Sequence, residues 1–289
     1  MTVDIIIPTY NRVSFLSETL KSVQTQTYED WFCWIAEDGE SQETRDAVRP
    51  FLTDNRFIHL PGRHIGYPAA PRNRAIRQGS ARLVAFLDDD DLWLPEKLKR
   101  QVDFLTHNKA CVLVGSNALR WDGIGAKEDA PVYHQKISFG QIPYEKLVQE
   151  NVFIIFSVLT RRESLLQAGL FNESLTPPVG EDYELWLRLG AMGGTWMLAD
   201  PLLLYRETAS TYYEKKMSRE VKYQLKAGIY TAALRGVPEF PSPLAAQGKE
   251  YYADLCRAER DFYAAGPHLL DRFSRIIFQK LKTMVAHGK

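Results

Sequence analysis

The sequence predicts an α/β protein: a mostly parallel sheet with helices on both faces, followed by a helical C-terminal tail. Three observations carry this. Short β-branched and aromatic runs alternate with amphipathic helical stretches through about the first ninety residues. The runs are apolar on both sides, as strands covered by helices on both faces must be. Polar clusters follow the strands directly, where the loops of such a sheet bind ligands.

The elements follow in order. Residues 3–7 are a continuous β-branched strand, and residues 14–26 place Leu16, Leu20 and Val23 on one helical face. Residues 31–36 form the next strand, ended by an Asp38-Gly39 turn. Ala47, Val48, Phe51 and Leu52 mark a second helical face; residues 57–60 read as a short strand, 71–78 as a helix stopped by Gly79, and 83–87 as a fourth strand. Beyond it the pattern is mixed: a helix over 95–108, a strand over 111–119, a charged turn over 122–129, a strand over 153–160, a helix over 181–191 and a last strand over 202–205. After Tyr205 the periodicity is mainly helical, broken by a Pro-rich stretch at 238–243.

Composition narrows the function. Lys+Arg and Asp+Glu are both 36, so no basic excess points to nucleic acid. The 289 residues, 45% hydrophobic, suit one large domain or two joined ones. Cys33, Cys111 and Cys256 lie far apart in apolar surroundings, without metal-ligand spacing; buried, inert thiols in a reducing cytoplasm are expected. The chain enters a strand at Val3 with no signal-like leader. Its longest apolar run, 152–159, is far short of the roughly 20 residues that span a bilayer. Dinucleotide and P-loop readings fail for want of GxGxxG and GxxxxGK[ST].

The chemistry concentrates at Phe86-Leu87-Asp88-Asp89-Asp90-Asp91, followed by Leu92-Trp93-Leu94-Pro95. Four adjacent carboxylates after a buried strand repel one another and call for a cation. Mg²⁺ and Mn²⁺ take oxygen ligands together with substrate phosphates. A solvated acidic turn capping the helix near Pro95 is the plainer alternative.

Together with Ile5-Ile6-Ile7-Pro8-Thr9-Tyr10-Asn11-Arg12, Glu37-Asp38-Gly39, Pro71-Arg72-Asn73-Arg74-Ala75-Ile76 and Gly180-Glu181-Asp182-Tyr183-Glu184-Leu185-Trp186, this cluster resembles the family 2 glycosyltransferases of the GT-A fold. Five motifs agree in order and spacing across residues 1–206. The resemblance implies a nucleotide-binding half over 1–91, an acceptor half over 92–206 and a helical extension over 207–289. It implies an inverting transfer, without a covalent sugar–enzyme intermediate, from a nucleotide-diphosphate sugar to a glycan or glycolipid acceptor. UDP is favoured by family frequency, and Mn²⁺ or Mg²⁺ is the expected cofactor. Pro8, Tyr10 and Asp38 match positions that hold the base: the Tyr ring stacks, and the carboxylate accepts a base N–H that uracil, thymine and guanine offer and cytosine lacks. Arg72 and Asn73 match a loop beside base and ribose. Asp88 and Asp90 match the DxD pair. Asp90 would bind the metal; Asp88 would approach the ribose or donor sugar or reach the metal through water, with Asp89 beside it on the donor side.

Asp182 lies on the helical face of Leu185, Trp186 and Leu189, so it is expected to point inward, which is costly without a function. The resemblance makes it the general base; a first-turn carboxylate serving the helix dipole is the alternative, held more firmly for Glu181 and Glu184. Trp186 is expected in the core. Where many family members carry a His, this chain has Thr208, leaving Arg206 or the Lys215-Lys216 pair to supply positive charge. In the tail, Leu269, Leu270, Phe273, Ile276, Ile277, Leu281, Met284 and Val285 fall at helical spacing among Arg272, Arg275, Lys280 and Lys282. This stripe would lie peripherally on the inner face of a membrane or pack on protein. A sugar-nucleotide nucleotidyltransferase and a non-catalytic glycan-binding domain are the competing functions; against the first, no Gly-rich basic loop stands near the N-terminus.

Overall fold

A computed structural model describes residues 1–121, 129–134, 139–175, 180–206, 229, 232 and 233. Thr208, Lys215, Lys216, Cys256 and the amphipathic stripe lie outside the described residues, as does most of the charged turn over 122–129.

The first half is the expected parallel sheet. β1 (Val3–Thr9), every residue buried, pairs in parallel with β2 (Trp31–Glu37) and β4 (Leu83–Phe86), and β2 pairs in parallel with β3 (Phe57–Leu60). The helices α1 (Val13–Gln24), α2 (Gln42–Val48) and α3 (Ala69–Gln78) connect these strands. Ser41 caps α2 by accepting from the Thr44 N–H at 3.0 Å. The helical face anticipated over 47–52 is split, because Pro50 has no N–H to continue the ladder; a 3₁₀ turn, Phe51–Thr53, follows.

The second half is mixed, not parallel. β5 (Leu92–Trp93), α4 (Lys97–His107), β6 (Cys111–Trp121), β7 (Gly140–Ile142), α5 (Tyr144–Gln149), β8 (Leu159–Arg161), α6 (Arg162–Ala168), α7 (Glu181–Met192) and β9 (Gly194–Arg206) follow in sequence. Among the described residues the strand order is β3-β2-β1-β4-β8-β6-β9-β5, with β7 also on β9. β8 is antiparallel to both β4 and β6, which turns the sheet direction at its centre.

Two strand expectations are corrected. Residues 153–160 are not one strand. The Ser157 hydroxyl and N–H both donate to the Ile154 carbonyl, at 2.7 and 2.9 Å, closing the 3₁₀ turn Ile155–Ser157 before β8 begins. The segment is still buried, and this apolarity imitated a strand. The last strand is longer than 202–205: β9 starts at Gly194 and carries Pro201 where its register with β6 shifts.

One main core joins both halves, from Ile5 and Phe86 to Trp186, Leu189 and, from the extension, Ile229 and Ala233. Trp186 is fully buried, between Phe86 and Phe171. Cys33 and Cys111 are buried free thiols; burial raises the first well above its ordinary pKa and the second to about 11.

Candidate functional site

A cleft of about 790 Å³ opens beyond the carboxyl ends of β1, β2 and β4. That volume suits a small-molecule substrate. Of the nine residues singled out in the sequence, eight line it: Pro8, Tyr10, Asp38, Arg72, Asp88, Asp89, Asp90 and Asp182. Asn73 does not. Its amide donates to the Phe171 carbonyl (2.8 Å) and Glu173 (2.7 Å) and accepts the Phe171 N–H (3.0 Å), so it ties α3 to the 171–173 segment instead of facing a base or ribose.

At the end of β1, Tyr10 is about half exposed and stacks on His64, centroids 4.2 Å apart and 16° from parallel. At the end of β2, Asp38 is buried and accepts the N–H groups of Ile65 and Gly66, both at 2.8 Å. His64 Nδ1 lies 3.0 Å from Oδ2, the oxygen that takes the Gly66 N–H, so Oδ1 is the carboxylate oxygen that keeps a lone pair for another donor. Gly66 has φ +99°, in the left-handed region where glycine is favoured.

Beyond β4 the four aspartates form one tight loop. The Thr19 hydroxyl lies 3.0 Å from the carbonyls of both Asp89 and Asp91. Arg206, the last residue of β9, donates its N–H to Asp91 (2.8 Å), its Nε to the Asp90 carbonyl (2.8 Å) and a terminal N–H to Glu18 (2.8 Å), its guanidinium lying over Phe15 and Trp121. Asp89, Asp90 and Asp91 are all buried. Burial, then for Asp90 and Asp91 the neighbouring carboxylates, drives their pKa values up, Asp89 to about 7 and Asp91 strongly. Against this, Arg12 places Nη1 2.7 Å from Asp90 and 3.6 Å from Asp89.

Arg72 lines the cleft and is not a surface residue. It is 3% exposed and bridges Asp88 (2.8 Å) to Glu181 (2.7 Å), joining the acid loop to the first residue of α7. Gly180, at φ +78°, starts that helix. α7 is buried on nearly every side, so the apolar stripe is not what distinguishes Asp182; the residue is half-buried and faces the cleft, with Asn151 3.4 Å away. Enclosure, then the Glu181 charge, raises its pKa to about 7. Glu184, also an acidic residue of the first turn of α7, is buried in an ion pair with Arg188, four residues on.

Arg12, Glu181 and His64 are the site residues that the sequence did not mark. Arg12 and Glu181 stand inside the recognised motifs without a role read for them, because their partners lie 78 and 109 residues away. Among the described residues, no three His, Cys, Asp or Glu groups form a ready-made metal cage, and no helix is long and apolar enough to cross a membrane.

Residues 4–169 match the family model for glycosyl transferase family 2. The chain is 33% identical over 189 residues to an Escherichia coli UDP-Glc:alpha-D-GlcNAc-diphosphoundecaprenol beta-1,3-glucosyltransferase, WfgD, covering 65% of this chain and 69% of that protein. It is 32% identical to a Bacillus subtilis glycosyltransferase assigned to teichuronic acid biosynthesis, TuaG, covering 67% of this chain and 73% of that one. It spans only 26% of a matching Rickettsia bellii glycosyltransferase. Among solved structures, S. aureus TarS 1-349 with UDP-GlcNAc superposes with a TM-score of 0.67 at 18% identity, over 92% of this chain and 76% of that one. The Pyrobaculum calidifontis mannosyltransferase PcManGT with GDP-Man and Mn²⁺ gives 0.61 at 18%, over 98% and 84%. At that identity the shared property is the fold. The matched segment, the relatives and the cleft beyond the parallel strands agree: the chain belongs to glycosyl transferase family 2 and is a glycosyltransferase of the GT-A fold.

Proposed function

We propose that this enzyme transfers a sugar, with inversion, from a nucleotide-diphosphate donor to a glycan or lipid-linked glycan acceptor, with Asp182 as general base and a divalent metal held at Asp90 and Asp88. The observation that carries the reading is Arg72: one buried guanidinium ties Asp88 of the acid loop to Glu181, the neighbour of Asp182. UDP is the favoured donor nucleotide. An E. coli relative named for UDP-Glc and a diphosphoundecaprenol-linked GlcNAc, and a relative assigned to teichuronic acid, support a donor and an acceptor of cell-envelope glycan type.

The residues fit Mn²⁺ or Mg²⁺. Asp88 and Asp90 offer hard oxygen ligands to the cleft, and burial, then the Asp88 charge, raises the pKa of Asp90 against the pull of Arg12 and Arg206. Asp90 and Asp88 would hold such an ion, which when bound would neutralise charge on the departing diphosphate. Tyr10 supplies a stacking face and Asp38 an acceptor for a base N–H. Asp182 takes the acceptor hydroxyl proton on a carboxylate oxygen. The acceptor oxygen forms its bond to the anomeric carbon from the face opposite the nucleotide diphosphate, which leaves with the electron pair of the broken bond. Arg72 positions Glu181 and Asp88 and reaches no reacting atom. Asn73 holds structure only.

A thermal-shift panel of UDP, dTDP, GDP and CDP with and without Mn²⁺ tests this. A ligand at about one hundred times its Kd adds about 2.7 kcal/mol of stability. UDP with Mn²⁺ should raise Tm most and CDP least; a panel in which no nucleoside diphosphate moves Tm would refute the donor site.

A further inference from the structure

Three arginines line the cleft among the described residues: Arg12, Arg72 and Arg206. Two are fixed. Arg72 is locked between Asp88 and Glu181, and Arg206 between Glu18, the Asp90 carbonyl and two aromatic rings. Arg12 differs. Its side chain is 46% exposed, it makes no capping contact to α1, and the carboxylates it meets are those of Asp90 and Asp89. Asp90 itself has only 12% of its side chain exposed. The Arg12 guanidinium therefore covers the carboxylate oxygen that the proposed metal would need, and a cation arriving there competes with it directly.

We propose that Arg12 is an exchangeable counter-ion. It neutralises Asp90 until a metal takes that carboxylate, then turns to the donor's diphosphate, where it makes charge-assisted hydrogen bonds to phosphate oxygens. This rests on the metal and donor reading above and adds to it a residue that touches the substrate. Guanidinium geometry suits phosphate, and a half-exposed side chain can move without opening the core. Among the described arginines of the cleft, Arg72 and Arg206 are already committed.

The test uses the full-length protein and Arg12→Gln, with Arg12→Lys as a charge-retaining second variant. Mn²⁺ alone is titrated by electron paramagnetic resonance of the free ion; uridine and UDP are titrated by calorimetry at saturating Mn²⁺. Removing the competing cation should tighten Mn²⁺ alone by about three- to tenfold, while UDP binds about tenfold more weakly and uridine is unchanged. Arg12→Lys should lie between wild type and Arg12→Gln on both axes. Opposite signs for metal and diphosphate are the signature. Loss of both affinities would show that Arg12 merely props the acid loop, and unchanged UDP affinity that it never reaches phosphate; either overturns the proposal. A wild-type protein that binds UDP but no Mn²⁺ would sink the metal reading and this inference with it.

Discussion

Asp182 holds a carboxyl whose pKa enclosure and the Glu181 charge have raised to about 7, while Arg72 pulls in the other direction. A general base works best with a pKa near the working pH. Transfer should accordingly fall on the acid side of about pH 7, where Asp182 keeps its proton. Asp182→Asn should lower turnover by about 10²-fold or more with nucleotide binding retained, and its residual rate should lose that acid limb. A pH series of kcat with both proteins checks this; loss of nucleotide affinity with normal turnover at saturation would make Asp182 a binding residue instead. The site was legible where chemistry is local in sequence. Asp88 to Asp91 declare themselves by adjacency, and Tyr10 and Asp38 by following strands. Arg72 was placed in the site, but nothing local reveals that it reaches Glu181, 109 residues on.

Among the elements, strands with continuous β-branched runs were legible because burial on both faces leaves a one-dimensional trace. β5 and β7, two and three residues long, leave none, and their pairing with β9 is decided by tertiary context. The start of α7 shows what sequence cannot weigh. Gly180 sits at φ +78°, and a Cβ there would lie 2.5 Å from Ile229 Cδ1. Gly180→Ala should cost about 1–3 kcal/mol, from left-handed backbone plus overpacking. Ile229→Ala in the same chain should recover the overpacking part and leave the backbone part. Chemical denaturation of the single and double mutants measures both; a purely additive pair would deny the contact. Ile229 and Ala233 belong to the main core, so the extension that the resemblance sets apart after residue 206 is packed into that core at these two positions.

For the whole molecule, the carboxylates set a pH dependence. Asp89, Asp90, Asp91 and Asp182 all have folded pKa values above the ordinary 3.8, two of them near 7. The folded state thus binds these protons more tightly than the unfolded chain. Their contribution to stability is full below about pH 4 and is lost as pH rises through about 7. Without metal, Tm should fall between pH 5 and 8, and Asp89→Asn should flatten that slope and stabilise the protein at pH 8 by about 1 kcal/mol or more. Mn²⁺ with UDP should flatten it too, by favouring the charged forms. Melting curves at several pH values decide the matter, and an equal slope in Asp89→Asn would count against the assignment.

The clasp at Arg206 has a consequence in time. It grips Glu18 across 188 residues and the Asp90 carbonyl across 116. During synthesis β1 to β4 emerge first and can pair among themselves, whereas the residue that fastens the acid loop is the last of β9. A growing chain therefore displays β1 to β4, with Thr19, Arg12 and Arg72 able to reach the acid loop, well before Arg206 can close its clasp on it.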